Sequence, residues 1–195
     1  VSRKRVAVLI SGRGSNMAAL IEAAKAPDYP AEIALVLSNV PGAGGLALAE
    51  ASGIATATID HRRFGRDREA FEKAVQAELE AHRIDIVCLA GFMRILTPWL
   101  VTRWEGRMIN IHPALLPAYK GLDTHARALA DGATVHGATV HFVTPGLDEG
   151  PVILQEEVPV LPGDTAESLG RRVLEAEHRI YPAALRMIAT DYRLV

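Results

Sequence analysis

Short apolar runs of strand length alternate along this chain with longer stretches in which apolar residues recur at helical spacing. That alternation predicts a parallel sheet covered by crossover helices. Strands are expected near Val6–Ile10, Glu32–Leu37, Ala55–Ile59, Asp85–Ala90 and Arg107–Ile111, with helices near Asn16–Ala26, Gly45–Ser52, Asp67–His82 and Pro98–Trp104. The near-continuous hydrophobicity of Val6 through Ile10 and of Ile84 through Leu89 requires cover on both faces, so these strands belong in the middle. After Asn110 the pattern changes. Val135–Val143 and Val152–Val160 are β-rich, and the loop from Thr144 to Pro151 between them is too short for a helical crossover, which predicts an antiparallel pair. The expected fold class is α/β: an open twisted mixed sheet, mostly parallel and doubly wound, with an antiparallel C-terminal hairpin. A last helix is expected from Asp164, with Asp164 as N-cap and Glu167 completing a capping box, and Pro182 is expected to bend or break it.

The chain has 195 residues, 49% of them hydrophobic, which suits one core and one domain over 1–195. Its formal net charge of -2 gives no global positive excess for nucleic acid to exploit, so a large RNA substrate is disfavoured. Cys88 is the only cysteine. It excludes an intrachain disulfide framework and a multi-cysteine zinc site, fits a reducing cytoplasm, and reads as a small core residue in preference to a nucleophile. Ser2-Arg3-Lys4-Arg5 is basic, but a strand-length run follows it where a signal peptide would have its apolar core. No apolar run reaches membrane-spanning length.

In an open α/β sheet, ligands bind beyond the carboxyl ends of the strands, and three unusual segments are expected there. Ser11-Gly12-Arg13-Gly14-Ser15-Asn16 follows the first strand, and its glycines let backbone N–H groups turn toward an anion at the start of the next helix. It lacks the third glycine of a dinucleotide fingerprint and the lysine of a Walker loop, so a monophosphate ester suits it better than NAD or ATP. A tight strand-to-helix turn with no ligand explains the same residues. Asn110 and His112 are two apart on the fifth strand and face one way, an amide and an imidazole suited to holding an oxyanion and moving protons in acyl transfer. A polar strand end with a satisfied histidine is the competing reading. Asp148, in Leu147-Asp148-Glu149-Gly150-Pro151, is either turn chemistry or, if its loop folds back over the fifth strand, the carboxylate that orients His112. His61, His82 and His136 read as surface residues and His141 as structural. The histidines show no metal-ligand spacing.

Five motifs occur in a shared order: Ile10–Asn16, Leu89–Leu96, Asn110–Pro117, His136–His141 and Leu147–Pro151. Together they resemble the phosphoribosylglycinamide formyltransferase family over nearly the whole chain. The resemblance implies formyl transfer from 10-formyltetrahydrofolate, a co-substrate, to the amine of glycinamide ribonucleotide in purine biosynthesis, without a metal. It implies Asn110, His112 and Asp148 as the catalytic trio, Gly14, Ser15, Asn16 and Glu177 as the ribonucleotide site, and Arg68, Met93, Arg94, Ile95, Leu96 and Asn110 as folate contacts. Residues 1–105 then form the phosphate-binding half, and 106–195 carry the catalytic strand, folate loop and final helix. It further implies a cytoplasmic enzyme with small-molecule partners, neither nucleic acid nor membrane, as a monomer or homodimer. Asp123 stands where some members carry histidine, Arg13 lies at a variable position, and the chain ends soon after Tyr192, without the tail of some relatives. Formyltetrahydrofolate deformylase, a hydrolase, is the nearest alternative. Methionyl-tRNA formyltransferase and a non-catalytic nucleotide-binding module are more distant ones.

Overall fold

A computed structural model describes residues 2–190 of the chain; Tyr192 lies outside them. The elements run β1 (Lys4–Ile10), α1 (Ser15–Ala24), β2 (Ala31–Ser38), α2 (Gly44–Ala51), β3 (Ala55–Thr58), a 3-10 turn (His61–Phe64), α3 (Arg68–Ala81), β4 (Ile86–Leu89), α4 (Pro98–Arg103), β5 (Met108–His112), α5 (Thr124–Ala130), β6 (Val135–Phe142), β7 (Val152–Pro159) and α6 (Ala166–Ala189). Seven strands form one sheet in the order β3-β2-β1-β4-β5-β6-β7. The first five run parallel, and β6 and β7 add antiparallel to β5 and to each other. The order reverses between β1 and β4, so the loops after these two strands flank the topological switch point, where such sheets open a crevice.

Alternation along β1 divides the core. Val6, Val8 and Ile10 pack with residues of α1 and α6 on one face, while Ala7 and Leu9 pack with Phe71, Val75 and Leu79 of α3 on the other. This is the double cover that its unbroken hydrophobicity demanded. Cys88 is fully buried in β4, and burial pushes its thiol up to about 12, which leaves no thiolate to act as nucleophile. On α6, the Tyr181 hydroxyl donates to the Leu89 carbonyl at 2.7 Å and lies 3.2 Å from that of Ile109, fixing the helix across β4 and β5.

Several expectations need correction. The cap of α6 is Thr165 with Ser168, one residue beyond the expected pair. Asp164 instead accepts from the Leu161 N–H at 2.7 Å and pairs with Arg172 at 2.8 Å, locking the preceding turn. Pro182 does not end α6, which continues to Ala189 with its apolar stripe buried on both sides of the proline. A broad buried face outweighs one missing backbone donor. Helix α5 was not expected. Its seven residues are too few to show periodicity, and Asp123 begins it in the left-handed region without a side-chain cap bond.

Candidate active site

The end of β5 sets the centre of the site. Asn110 and His112 leave the strand on the same side, and β6 pairs antiparallel so that Asn110 faces His141 and His112 faces Thr139. His112 Nε2 lies 2.7 Å from the Tyr119 carbonyl, which only accepts, so Nε2 carries the proton and Nδ1 faces Asp148. The Asp148 Oδ2 atom is 3.5 Å from that Nδ1, and the two side chains are 9% and 6% exposed. The carboxylate thus faces the one ring nitrogen that the Tyr119 carbonyl leaves free.

Asp148 is held from several directions. Its Oδ2 accepts the Gly121 N–H at 2.9 Å, and Lys120 and Glu149 pair at 3.3 Å, fastening the two loops over β5. Its backbone is left-handed at φ 53, an uncommon conformation for a residue other than glycine. Gly150 closes the loop: a Cβ there would lie 1.6 Å from the Phe142 carbonyl oxygen, so no other residue fits without backbone movement. Thr139 steadies the segment after His112, donating to the Ala114 carbonyl at 2.7 Å and accepting the Leu116 N–H at 3.1 Å.

His141 belongs to this group as well. Its Nδ1 donates to the Phe142 carbonyl at 2.9 Å, and its Nε2 lies 3.4 Å from Asn110 Nδ2 and 3.9 Å from Asp148 Oδ1. Burial, more than any neighbour, lowers its pKa and favours the neutral ring. Neutral Nε2 accepts from the Asn110 amide, which fixes that amide beside His112 and Asp148. The expectation that His141 is structural therefore misses a neighbour of the site, and the expectation that His136 is exposed is wrong. His136 is 1% exposed, bonded to His125 with 3.0 Å between ring nitrogens and packed edge-on against Tyr119. Burial first, then the His125 and His112 charges, pushes its pKa down to about 4. His61 and His82 are half-buried, each held by a backbone carbonyl, of Asn39 and Glu78 respectively.

The second pole lies at the end of β1, two strands from β5 and so roughly 10 Å away at ordinary strand spacing. Gly14 is left-handed at φ 70 and leads into α1, with Ser15 exposed as its first residue. This is the geometry of an anion-ready helix start. Asn16 is buried and donates from Nδ2 to Glu177 Oε1 on α6 at 3.0 Å, while its Oδ1 has no partner among the described residues. Glu177, one turn before Tyr181, is buried enough to push its pKa up to about 7 against the opposing effect of the Asn16 bond. The structure thus joins Asn16 and Glu177, which are 161 residues apart in sequence.

The third group is looser. Met93 and Ile95 are exposed, Leu96 packs against the core, and Met93 N–H donates to Ser11 Oγ at 2.8 Å, tying the loop after β4 to the loop after β1. Arg94 lies 5.8 Å from the Phe71 ring centroid. Arg68 is exposed on the first turn of α3, the helix that also carries Phe71.

Residues 4–185 match the family model described as formyl transferase. The chain belongs to the formyl transferase family. It is 47% identical to the phosphoribosylglycinamide formyltransferase of Escherichia coli strain K12, over 97% of this chain and 88% of that protein. It is 51% identical to the chicken (Gallus gallus) trifunctional purine biosynthetic protein adenosine-3 over 97% of this chain, yet it spans only 19% of that protein's length. Among solved structures, phosphoribosylglycinamide formyltransferase from Brucella melitensis superposes with a TM-score of 0.92 at 53% identity, covering 99% of each chain. Glycinamide ribonucleotide transformylase 1 from Symbiobacterium toebii gives 0.95 at 44% identity, covering 99% of this chain and 91% of the other. An amide, an imidazole and a sheltered carboxylate gathered at one strand end are groups able to hold an oxyanion and move protons.

Proposed function

We propose that the chain transfers the formyl group of 10-formyltetrahydrofolate to the amine of glycinamide ribonucleotide, giving formylglycinamide ribonucleotide and tetrahydrofolate. The observation that carries this reading is the sheltered contact between His112 and Asp148 beside Asn110, at the end of β5. Relatives named phosphoribosylglycinamide formyltransferase match nearly the whole chain.

The substrate phosphate sits on the backbone of Gly14 and Ser15, with Asn16 and Glu177 holding the ribonucleotide between that loop and β5. The donor lies along Met93–Leu96, with Arg68 and Arg94 toward its acidic end. The amine lone pair attacks the formyl carbon, and the carbonyl electrons move onto oxygen, where the Asn110 amide donates to the negative charge and the positive charge of a protonated His112 ring stabilises it from alongside. Collapse restores the carbonyl and breaks the carbon–nitrogen bond to the folate. One proton leaves the attacking nitrogen and one arrives at the departing nitrogen, and Asp148 holds the imidazole in register for this exchange. Fixing both reactants across one crevice supplies the proximity term. No step runs through a metal or a covalent enzyme intermediate. The reading treats 1–195 as one functional domain, cytoplasmic, with small-molecule partners, acting as a monomer or homodimer.

The test is to mix the protein with 10-formyltetrahydrofolate, with and without glycinamide ribonucleotide, and to follow loss of the donor. Donor consumed only when the amine is present, one for one with formylated product, is the expected result. Equal consumption without the amine identifies a hydrolase instead, and no consumption in either mixture overturns both enzymatic readings.

A further inference from the structure

His112 and Asp148 are both held by the irregular segment between β5 and α5. The Tyr119 carbonyl takes the His112 Nε2–H, and the Gly121 N–H donates to Asp148 Oδ2. That segment is strained. Tyr119 and Asp123 are left-handed at φ 54 and φ 55, on either side of Gly121 at φ 83, so two residues with a Cβ occupy a conformation that favours glycine. Such a backbone persists only when its surroundings over-determine it.

One side chain supplies much of that restraint. Arg127 lies one turn into α5, and side chains on a helix lean toward its N-terminus, so this one reaches back over the segment that leads in. Its Nη1 donates to the Lys120 carbonyl at 2.6 Å and to the Leu122 carbonyl at 3.0 Å, and its guanidinium lies 5.5 Å from the Tyr119 ring centroid. The two carbonyls flank Gly121, and the ring belongs to the residue whose carbonyl meets His112. Among the described residues neither carbonyl has another donor, and Arg127 bonds neither His112 nor Asp148. A guanidinium stays protonated and only donates, so it has no proton to move in the reaction.

We propose that Arg127 is a positioning residue for the transfer: it clamps the Lys120 and Leu122 carbonyls so that Tyr119 and Gly121 keep His112 and Asp148 facing each other. The inference rests on the formyl-transfer reading above. It assigns to an exposed helix position, outside both poles of the site, control over the geometry of the imidazole and the carboxylate.

The experiment measures steady-state formyl transfer in Arg127→Ala, in Asp148→Asn and in the double variant. The kcat of Arg127→Ala should fall about tenfold, the grip of two charge-assisted hydrogen bonds at an exposed site, with KM for both substrates little changed. Guanidinium chloride well below denaturing concentration should restore most of that loss, and sodium chloride at the same ionic strength should not. In the Asp148→Asn background, where the contact that Arg127 serves is already lost, the same substitution should cost about twofold or less. Arg171→Ala, which removes an exposed arginine on α6 paired with Glu167, should match the unaltered protein. An unchanged kcat in Arg127→Ala, a loss confined to KM, an equal loss in both backgrounds or an equal loss in Arg171→Ala overturns the inference. Arg127→Gln carries the same test should the alanine variant fail to fold. A second readout needs no turnover: the His112 Nε2–H, sheltered from exchange by the Tyr119 carbonyl, gives an imidazole N–H resonance that His112→Gln removes. It should broaden or vanish in Arg127→Ala and return with guanidinium, and an unchanged resonance contradicts the clamp. A protein that shows this loss but transfers no formyl group fails the functional reading alone, and one that transfers it equally well without Arg127 fails the clamp alone.

Discussion

The two poles of the site are built from different materials. At the end of β1 the proposed binding surface is main chain: a left-handed Gly14 and the first N–H groups of α1, with Asn16 and Glu177 behind them. At the end of β5 it is side chain: Asn110, His112, His141 and Asp148, drawn from three separate segments. A backbone cradle needs only small residues and a helix, so it is local and tolerant of what lies beyond it. The side-chain cluster depends on antiparallel register, on a carbonyl at Tyr119 and on a loop closed by Gly150. The first pole is suited to holding a substrate and the second to changing it, and substitutions should separate these roles in kcat and KM.

The largest effect is expected at the side-chain pole. Asn110→Ala should lower kcat for formyl transfer by roughly 10²- to 10³-fold, the usual loss for one oxyanion donor, while KM for the ribonucleotide moves little. A steady-state assay with saturating donor checks both values, and a variant defective in KM alone would erase the distinction between the poles.

Glu177→Gln should act at the backbone pole and have a second signature. The folded Glu177 carboxyl is pushed up from 4.5 to about 7, so the folded state retains a proton that the unfolded chain has already released. Stability falls as pH rises through that window, because the unfolded state binds fewer protons there. Removing the charge should therefore raise stability at pH 8 by about 2 kcal/mol, measured by denaturant unfolding, while the ribonucleotide KM rises about tenfold. Unfolding curves of the two proteins that differ equally at pH 4 and pH 8 would contradict the assignment of that pH dependence to Glu177.

The smallest effect is expected from Gly14→Ala. A Cβ at φ 70 meets the Met17 Cε atom at 3.1 Å, and the left-handed backbone adds its own strain, together about 1 kcal/mol. The ribonucleotide KM should rise several-fold with kcat nearly unchanged. A thermal melt that shows no destabilisation would remove the strain argument.

The same difference in materials governs what could be read from the sequence. The positions of β1 to β5 along the chain, the burial of Cys88 and the glycine turn before Asn16 are local or periodic, and each was legible as hydrophobic pattern or turn chemistry. The antiparallel β6–β7 pair followed from a loop too short to cross over. His141 and His136 were not legible, because their burial depends on β6 lying against β5 and on a loop from Tyr119 to Asp123 that no periodicity announces. The true cap at Thr165 was displaced by one residue because Asp164, an equally good cap by type, is taken by Arg172. Arg68 and the residues Met93–Leu96 came from family resemblance, and the contacts of Met93 with Ser11 and of Arg94 with Phe71 have no local signature.

The most direct measurement is kcat and ribonucleotide KM for Asp148→Asn, which keeps the shape of the loop but removes the negative charge facing His112. A fall in kcat of about 10²-fold or more with KM little changed is the predicted result. Turnover close to that of the unaltered protein would contradict the claim that a buried imidazole–carboxylate pair at the end of β5 performs the transfer.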